Sequence, residues 1–270
     1  MGVLSGKSAL ITGASSGIGY GCALRFAEEG ANILACARHM DDLEKLCEDV
    51  YSRNCEGRIV IVDCDVSVEA MLDNVVETAI NEFGRIDILV NAAQGGLGKS
   101  AALLDTSYEL SMQYYMGGPM AALRLMQKCF PYMKEQGYGR IINFTSDAAR
   151  QGMKNMCAYG MCKAAMEALT RTAAVEWGEY GITANCIAPL ILTANTLLSA
   201  RGRAWAEKVA EANPTRRFGT AYEDCSPILL FLASEASHYL NGETINVTGG
   251  GSVPPITGTK TAAECPHNDQ

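Results

Sequence analysis

Short apolar runs alternate along this chain with longer segments whose apolar residues recur every three or four positions. Lys7 to Thr12 (KSALIT) reads as a strand, and Ala23, Leu24, Phe26 and Ala27 as the inward stripe of a helix that stops at Gly30. The pair recurs: strand Asn32 to Ala37 with a helix through Leu43, Leu46 and Val50, then strand Arg58 to Asp63 with a helix from about Ser67 to Phe83. A fourth strand, Ile86 to Val90, ends in Asn91-Ala92-Ala93-Gln94-Gly95-Gly96. Past Gly98 the rhythm loosens into a polar helix around Thr106 to Gln113 and a long helix to about Lys134, with Pro119 suited to its first turn. A fifth strand, Arg140 to Phe144, precedes a helix reaching Trp177, and a sixth spans Ile182 to Ala188. The Leu-, Ala- and Arg-rich stretch from Pro189 to Pro214 reads as a helical lid. A helix from about Tyr222 to Ser234 and a strand Thr244 to Val247 close the pattern before Gly249-Gly250-Gly251. This alternation predicts an α/β fold with a doubly wound, seven-stranded parallel sheet flanked by helices. One Rossmann-type domain is expected over residues 1–253, with 254–270 as a tail of little periodicity.

Composition narrows the setting. The chain has 270 residues, 48% of them hydrophobic, enough for one large core. No apolar run is long enough to span a bilayer, and the first residues enter a strand pattern without a signal-peptide layout. A net charge of −8 without a basic cluster argues against nucleic acid and anionic membrane as partners. Eleven cysteines, an odd number scattered through apolar segments with no Cys-x-x-Cys pair, do not read as a disulfide framework. Three histidines give no zinc spacing, so no metal site is expected. Buried free thiols in a reducing cytoplasm are the expectation.

The glycine-rich turn Gly13-Ala14-Ser15-Ser16-Gly17-Ile18-Gly19 lies between the first strand and the first helix. Such a turn lets the backbone approach a pyrophosphate, and the helix N-terminus offers amide donors and a favourable dipole. The end of the second strand is where a dinucleotide's adenine ribose usually lies. Arg38 stands there, after Ala37, and a guanidinium suits a 2′-phosphate, so NADP(H) is favoured over NAD(H). A solvated residue at a helix start is the plainer reading of Arg38.

Candidate chemistry concentrates in Arg140 to Lys163. Tyr159 and Lys163 are four residues apart and share a helix face, and Ser146 lies thirteen residues before Tyr159 at a strand end. A free tyrosine, with a pKa of about 10, is a poor acid or base at neutral pH. A nearby ammonium favours the phenolate, and a serine hydroxyl can hold the reacting oxygen. Surface helices often carry Tyr-x-x-x-Lys pairs, so the spacing gains weight only from its surroundings.

Taken together, TGASSGIG at 12–19, CDV at 64–66, DILVNAA at 87–93, Ser146 with YGMCK at 159–163, NCIAP at 185–189 and the run from RRFGT to NGETINVTGGG at 216–251 are similar to the short-chain dehydrogenase/reductase family. The resemblance covers nearly all of residues 5–252. It implies a nicotinamide cofactor and hydride exchange with an alcohol or carbonyl carbon. It implies that Ser146 orients the substrate, Tyr159 is the acid/base and Lys163 lowers its pKa and binds the nicotinamide ribose. By the same resemblance Gly13, Ser15, Ser16, Gly17, Ile18 and Gly19 hold the pyrophosphate, and Asp65 and Val66 meet the adenine. Asn91 would lie near the ribose, Pro189 and Leu192 beside the carboxamide, and Arg38 matches the NADP-preferring branch.

The chain departs from the family pattern in places. Asn91-Ala92-Ala93-Gln94 stands where Asn-Asn-Ala-Gly is usual, Leu190 where a glycine follows the proline, and Thr248 where an aspartate is usual. Gly118 takes the place of an asparagine that holds a water linked to the lysine, with Gln113 the nearest amide in sequence. Nine of the twelve methionines fall between Met112 and Met166, with Tyr108, Tyr114 and Tyr115 nearby. That cluster fits a pocket for a bulky ring ketone, steroid-like or polyketide-like, or better a subunit interface, since the family commonly forms homotetramers or homodimers there. The expected activity is an NADP(H)-dependent oxidoreductase acting on a hydroxyl/ketone pair. The alternatives are a 3-oxoacyl-thioester reductase and a cofactor-binding module with weak catalysis.

Overall fold

The computed structural model describes residues 2–96, 98–192 and 200–253. Seven parallel strands form one sheet: β1 (Ser8–Thr12), β2 (Asn32–Ala37), β3 (Ile59–Asp63), β4 (Ile88–Asn91), β5 (Gly139–Phe144), β6 (Ile182–Pro189) and β7 (Thr244–Val247). Their spatial order is β3-β2-β1-β4-β5-β6-β7. The helices are α1 (Gly17–Glu28), α2 (Met40–Ser52), α3 (Glu69–Phe83), α4 (Tyr108–Tyr115), α5 (Ala121–Gln136), α6 (Cys157–Trp177), α7 (Ala200–Ala212) and α8 (Ser226–Ala233). The expected tail at 254–270 and residues 193–199 of the expected lid lie outside the described residues; the rest of that lid is described and contains α7. No helix among the described residues is long and apolar enough to cross a membrane.

Successive side chains of a strand face opposite ways, so each central strand feeds two cores. Ile11, Ile33, Val90 and Ile142 pack with Phe26 of α1, Leu43 and Leu46 of α2 and Leu229 of α8. Their neighbours Leu10, Leu34, Leu89 and Ile141 pack with Leu72 of α3, Leu125 of α5 and Ala173 of α6. Burial on both faces explains why these strands read as short apolar runs rather than as polar–apolar alternation.

Several boundaries differ from the sequence expectation for local polar reasons. The fourth strand pairs from Ile88 rather than Ile86, because the buried Asp87 carboxylate takes the Ser8 amide at 2.9 Å and Arg85 Nε at 2.7 Å. Helix α3 starts at Glu69, since Asp65 accepts from both Ser67 N (2.9 Å) and Ser67 Oγ (2.6 Å) and holds Ser67 in a turn. Ser107, not Thr106, caps α4, accepting from Leu110 N at 3.1 Å. The expected break before the long helix falls at Gly118 (φ −129°, ψ −105°), which separates α4 and its last turn from α5 and leaves Pro119 in the first turn of the helix that follows. A π turn, Ala221–Cys225, leads into α8.

Candidate active site

A parallel sheet brings all its strand C-termini to one edge, and ligands bind where the strand order reverses. Here the reversal lies between β1 and β4, paired with Thr12 opposite Asn91. Asn91 in turn stands opposite Asn143 of β5, and Phe144 opposite Ile187 of β6. The ends of β1, β4, β5 and β6 therefore carry the glycine-rich turn, Asn91, Ser146 and Pro189 to one crevice.

The turn after β1 is built for close approach. Gly13 has φ +67°, and a Cβ there would lie 2.9 Å from the Ala93 backbone. A Cβ on Gly19 would lie 2.4 Å from the Gly13 carbonyl oxygen. Ser16 precedes α1 in extended conformation without a side-chain cap, so no side chain of its own takes the first amides of that helix. Ser15 and Ile18 are partly buried and Ser16 is exposed.

Beneath the crevice runs a polar chain that the sequence reading missed. Asn91 Nδ2 donates to Asn143 Oδ1 at 2.8 Å, Asn143 Nδ2 to Thr170 Oγ1 at 2.9 Å, and Thr170 Oγ1 to the Met166 carbonyl at 2.8 Å. Asn143 was legible only as an odd polar residue within an apolar strand. Asn91 Oδ1 is buried without a partner in the protein, an acceptor awaiting a donor from the crevice. An orphaned acceptor, an uncapped helix start and a glycine cradle fit a dinucleotide.

Arg38 is exposed immediately after β2. Asp65 lies across from it, its carboxyl held below the usual range first by the Ser67 hydrogen bonds and to a lesser degree by Arg38. Val66 is partly buried against the α3 side of the core. Pro189 ends β6 opposite Val247, and Leu192 is tied to the Gly219 carbonyl at 3.2 Å.

Ser146, Tyr159 and Lys163 come together as their spacing suggested. The Ser146 hydroxyl also accepts the Ala148 amide at 3.3 Å, closing the turn after β5. Lys163 is 5% exposed; its ammonium donates to the Phe144 carbonyl at 3.0 Å and lies 5.6 Å from the centre of the Tyr159 ring. Thr145 bonds the Lys163 carbonyl and the Glu167 carboxylate, both at 3.1 Å, fixing α6 against the strand end. In the protein itself burial pushes the Tyr159 phenol above its usual value, and a hydrogen bond with Ser146 draws it back. Burial pushes the Lys163 ammonium down. The expected lowering of the phenol by lysine is thus not the dominant influence in the chain alone.

The methionine cluster divides. Met126, Met133 and Met166 are core, while Met153, Met156 and Met161 join Leu103 and Cys157 around a cavity of about 470 Å³. Gln113, the amide expected nearest Gly118, points to Lys99 Nζ at 2.7 Å instead. The amide beside Gly118 belongs to Gln94, twenty-four residues earlier in the chain.

Residues 13–252 match a family model described as enoyl-(acyl carrier protein) reductase. A 12alpha-hydroxysteroid dehydrogenase of Clostridium sp. is 35% identical over 259 residues, 93% of this chain and 98% of that protein. The L-sorbose reductase of Gluconobacter frateurii, solved with NADPH and L-sorbose, is 34% identical, with a TM-score of 0.86 over 94% of this chain and 99% of its own. A 7 alpha-hydroxysteroid dehydrogenase, solved with NADH and 7-oxo glycochenodeoxycholic acid, is 32% identical, with a TM-score of 0.84 over 92% and 94% of the two chains. Sheet order, crevice and relatives agree: the chain belongs to the short-chain dehydrogenase/reductase family of oxidoreductases.

Proposed function

We propose that the protein is an NADP(H)-dependent oxidoreductase that interconverts a hydroxyl and a ketone on a hydrophobic ring substrate, steroid-like or polyketide-like. The observation that carries this is the grouping of the Tyr159 phenol, the Ser146 hydroxyl and the buried Lys163 ammonium at the crevice. In the reducing direction Tyr159 gives its proton to the carbonyl oxygen, which Ser146 holds by a hydrogen bond. The phenolate left behind is stabilised by the Lys163 ammonium and then takes a proton from solvent. A nicotinamide cofactor bound in the crevice supplies the hydride to the carbonyl carbon, or accepts it in the reverse direction. Gly13, Ser15, Ser16, Gly17, Ile18 and Gly19 hold its pyrophosphate, Asp65 and Val66 its adenine, Asn91 and Lys163 its ribose, and Pro189 and Leu192 its carboxamide. Arg38 receives a 2′-phosphate, and the NADPH-bound sorbose reductase supports that choice.

The apolar cavity beside Met153 and Met156 and the two hydroxysteroid relatives support the ring substrate. Apolar residues left bare on α6, Met161 and Val175 (85% exposed), support self-association as a homotetramer or homodimer. The description of the matching family model favours an acyl-thioester substrate as the second reading. Oxidation of NADPH and NADH over ring ketones, 3-oxoacyl thioesters and enoyl thioesters, with Tyr159→Phe alongside, tests both. Turnover of a ring ketone, faster with NADPH and abolished in Tyr159→Phe, is expected. Turnover confined to thioesters overturns the substrate assignment, and undiminished activity of Tyr159→Phe overturns the acid/base assignment.

A further inference from the structure

The loop after β4 and the helix break at Met116–Met120 touch backbone to backbone. Gly95 N donates to the Gly117 carbonyl at 2.9 Å, and a Cβ on Gly117 would lie 2.7 Å from Gly95 Cα. Gln94 enters beside this contact. A Cβ on Gly118 would lie 2.9 Å from Gln94 Nε2 and 2.8 Å from Cys162 Sγ, so the Gln94 amide occupies the room that residue 118 leaves. Its Nε2 donates to the carbonyls of Gly95 and Tyr114, both at 3.1 Å, while Cys162 Sγ approaches its Oε1 at 3.6 Å.

That amide grips a residue next to the candidate chemistry. The Tyr114 carbonyl takes Gln94 Nε2 and, at 3.3 Å, the Cys162 thiol, in a stretch where Pro119 brings no N–H to the helix ladder. The Tyr114 hydroxyl donates to the Lys99 carbonyl at 2.6 Å, so both ends of the residue are held. Its ring meets the Tyr159 ring edge to face at 5.7 Å and 62°. We infer that Gln94 is a positioning residue: its amide, lodged over Gly118, fixes Tyr114 and through that ring fixes the aim of the Tyr159 phenol. The inference rests on the reading of Tyr159 as the acid/base. Gln94 itself needs no contact with substrate.

The test compares Gln94→Met, which keeps volume and loses the amide, with Gln94→Ala, Gly118→Asn and the Gln94→Ala/Gly118→Asn double variant. Gln94→Met is expected to lower kcat about 10- to 100-fold, with KM for the coenzyme within about threefold, and to shift the kcat–pH profile. In the double variant an amide returns to the same space from the other side, and kcat recovers at least tenfold over Gln94→Ala. Melting temperatures give a readout independent of turnover. Gly118→Asn alone forces two amides into one space and lowers the melting temperature more than the same change made in Gln94→Ala. Parental kcat and pH profile in Gln94→Met, or additive melting temperatures, overturn the inference. If Tyr159→Phe is inactive while Gln94→Met matches the parent, only the role of Gln94 falls. If Tyr159→Phe is active, the acid/base reading falls, and the melting temperatures still decide whether residues 94 and 118 share one space.

Discussion

Lys163 of α6 donates its ammonium to the carbonyl of Phe144, the last residue of β5, at 3.0 Å. The bond ties the helix carrying Tyr159 to the strand leading to Ser146. It also keeps a charge where water is scarce, for Lys163 is 5% exposed and burial pushes its pKa down. A desolvated ammonium weakens the folded state and is retained where chemistry needs it.

Lys163→Met is therefore expected to remove activity and raise stability. The lysine's folded-state pKa is depressed, so between that value and its unfolded value near 10.5 the unfolded chain binds more protons. The parent's stability accordingly rises with pH across that window and is least below it. The variant's advantage, read as a higher Tm, is largest near neutral pH and shrinks towards pH 10. Thermal melts of both proteins from pH 7 to 10 check it. A difference independent of pH would contradict the assignment.

Gly117→Ala drives a methyl to 2.7 Å from Gly95 Cα and N, backbone atoms that cannot turn aside. A loss of about 1–3 kcal/mol is expected from overpacking. Gly152→Ala meets nothing within 4 Å and serves as the control, staying within about 0.5 kcal/mol of the parent. Urea unfolding midpoints of the two variants decide it.

Arg38→Asp replaces the guanidinium proposed to receive a 2′-phosphate with a carboxylate that repels phosphate and accepts ribose hydroxyls. The ratio of kcat/KM for NADPH to that for NADH should fall at least tenfold, with Tm little changed because Arg38 is exposed. An unchanged ratio would mean that 2′-phosphate recognition lies elsewhere.

The sheet was readable because strands buried on both faces leave short apolar runs, such as Ser8–Thr12 and Asn32–Ala37, set between helical stripes. The glycine-rich turn was readable because close approach leaves glycine as its signature. The helix break at Gly118 was readable too, but what docks on it was not. Gly117-Gly118-Pro119 announces a break and a new helix start locally, whereas the bond from Gly95 N to the Gly117 carbonyl joins residues twenty-two apart. Gln94 escaped for the same reason: its partners are Tyr114 and Cys162, twenty and sixty-eight residues away, and no local pattern links them. The ionisation of Tyr159 also escaped, because spacing puts a lysine nearby but says nothing of the burial that opposes it.

The strand order sets the pace at which the chain can complete itself. Ser8–Thr12 needs Ile88–Asn91 as its second neighbour, yet Asn91 is made seventy-nine residues after Thr12. At about 5–20 residues per second, a ribosome takes roughly 4–16 s to cover that interval. Throughout it the innermost strand of the N-terminal half keeps one edge unpaired, its apolar side chains only partly covered by the first three helices. Nascent chains that stall before Ile88 are thus the natural clients of chaperones and the natural seeds of aggregates, and those that pass Asn91 have closed that edge.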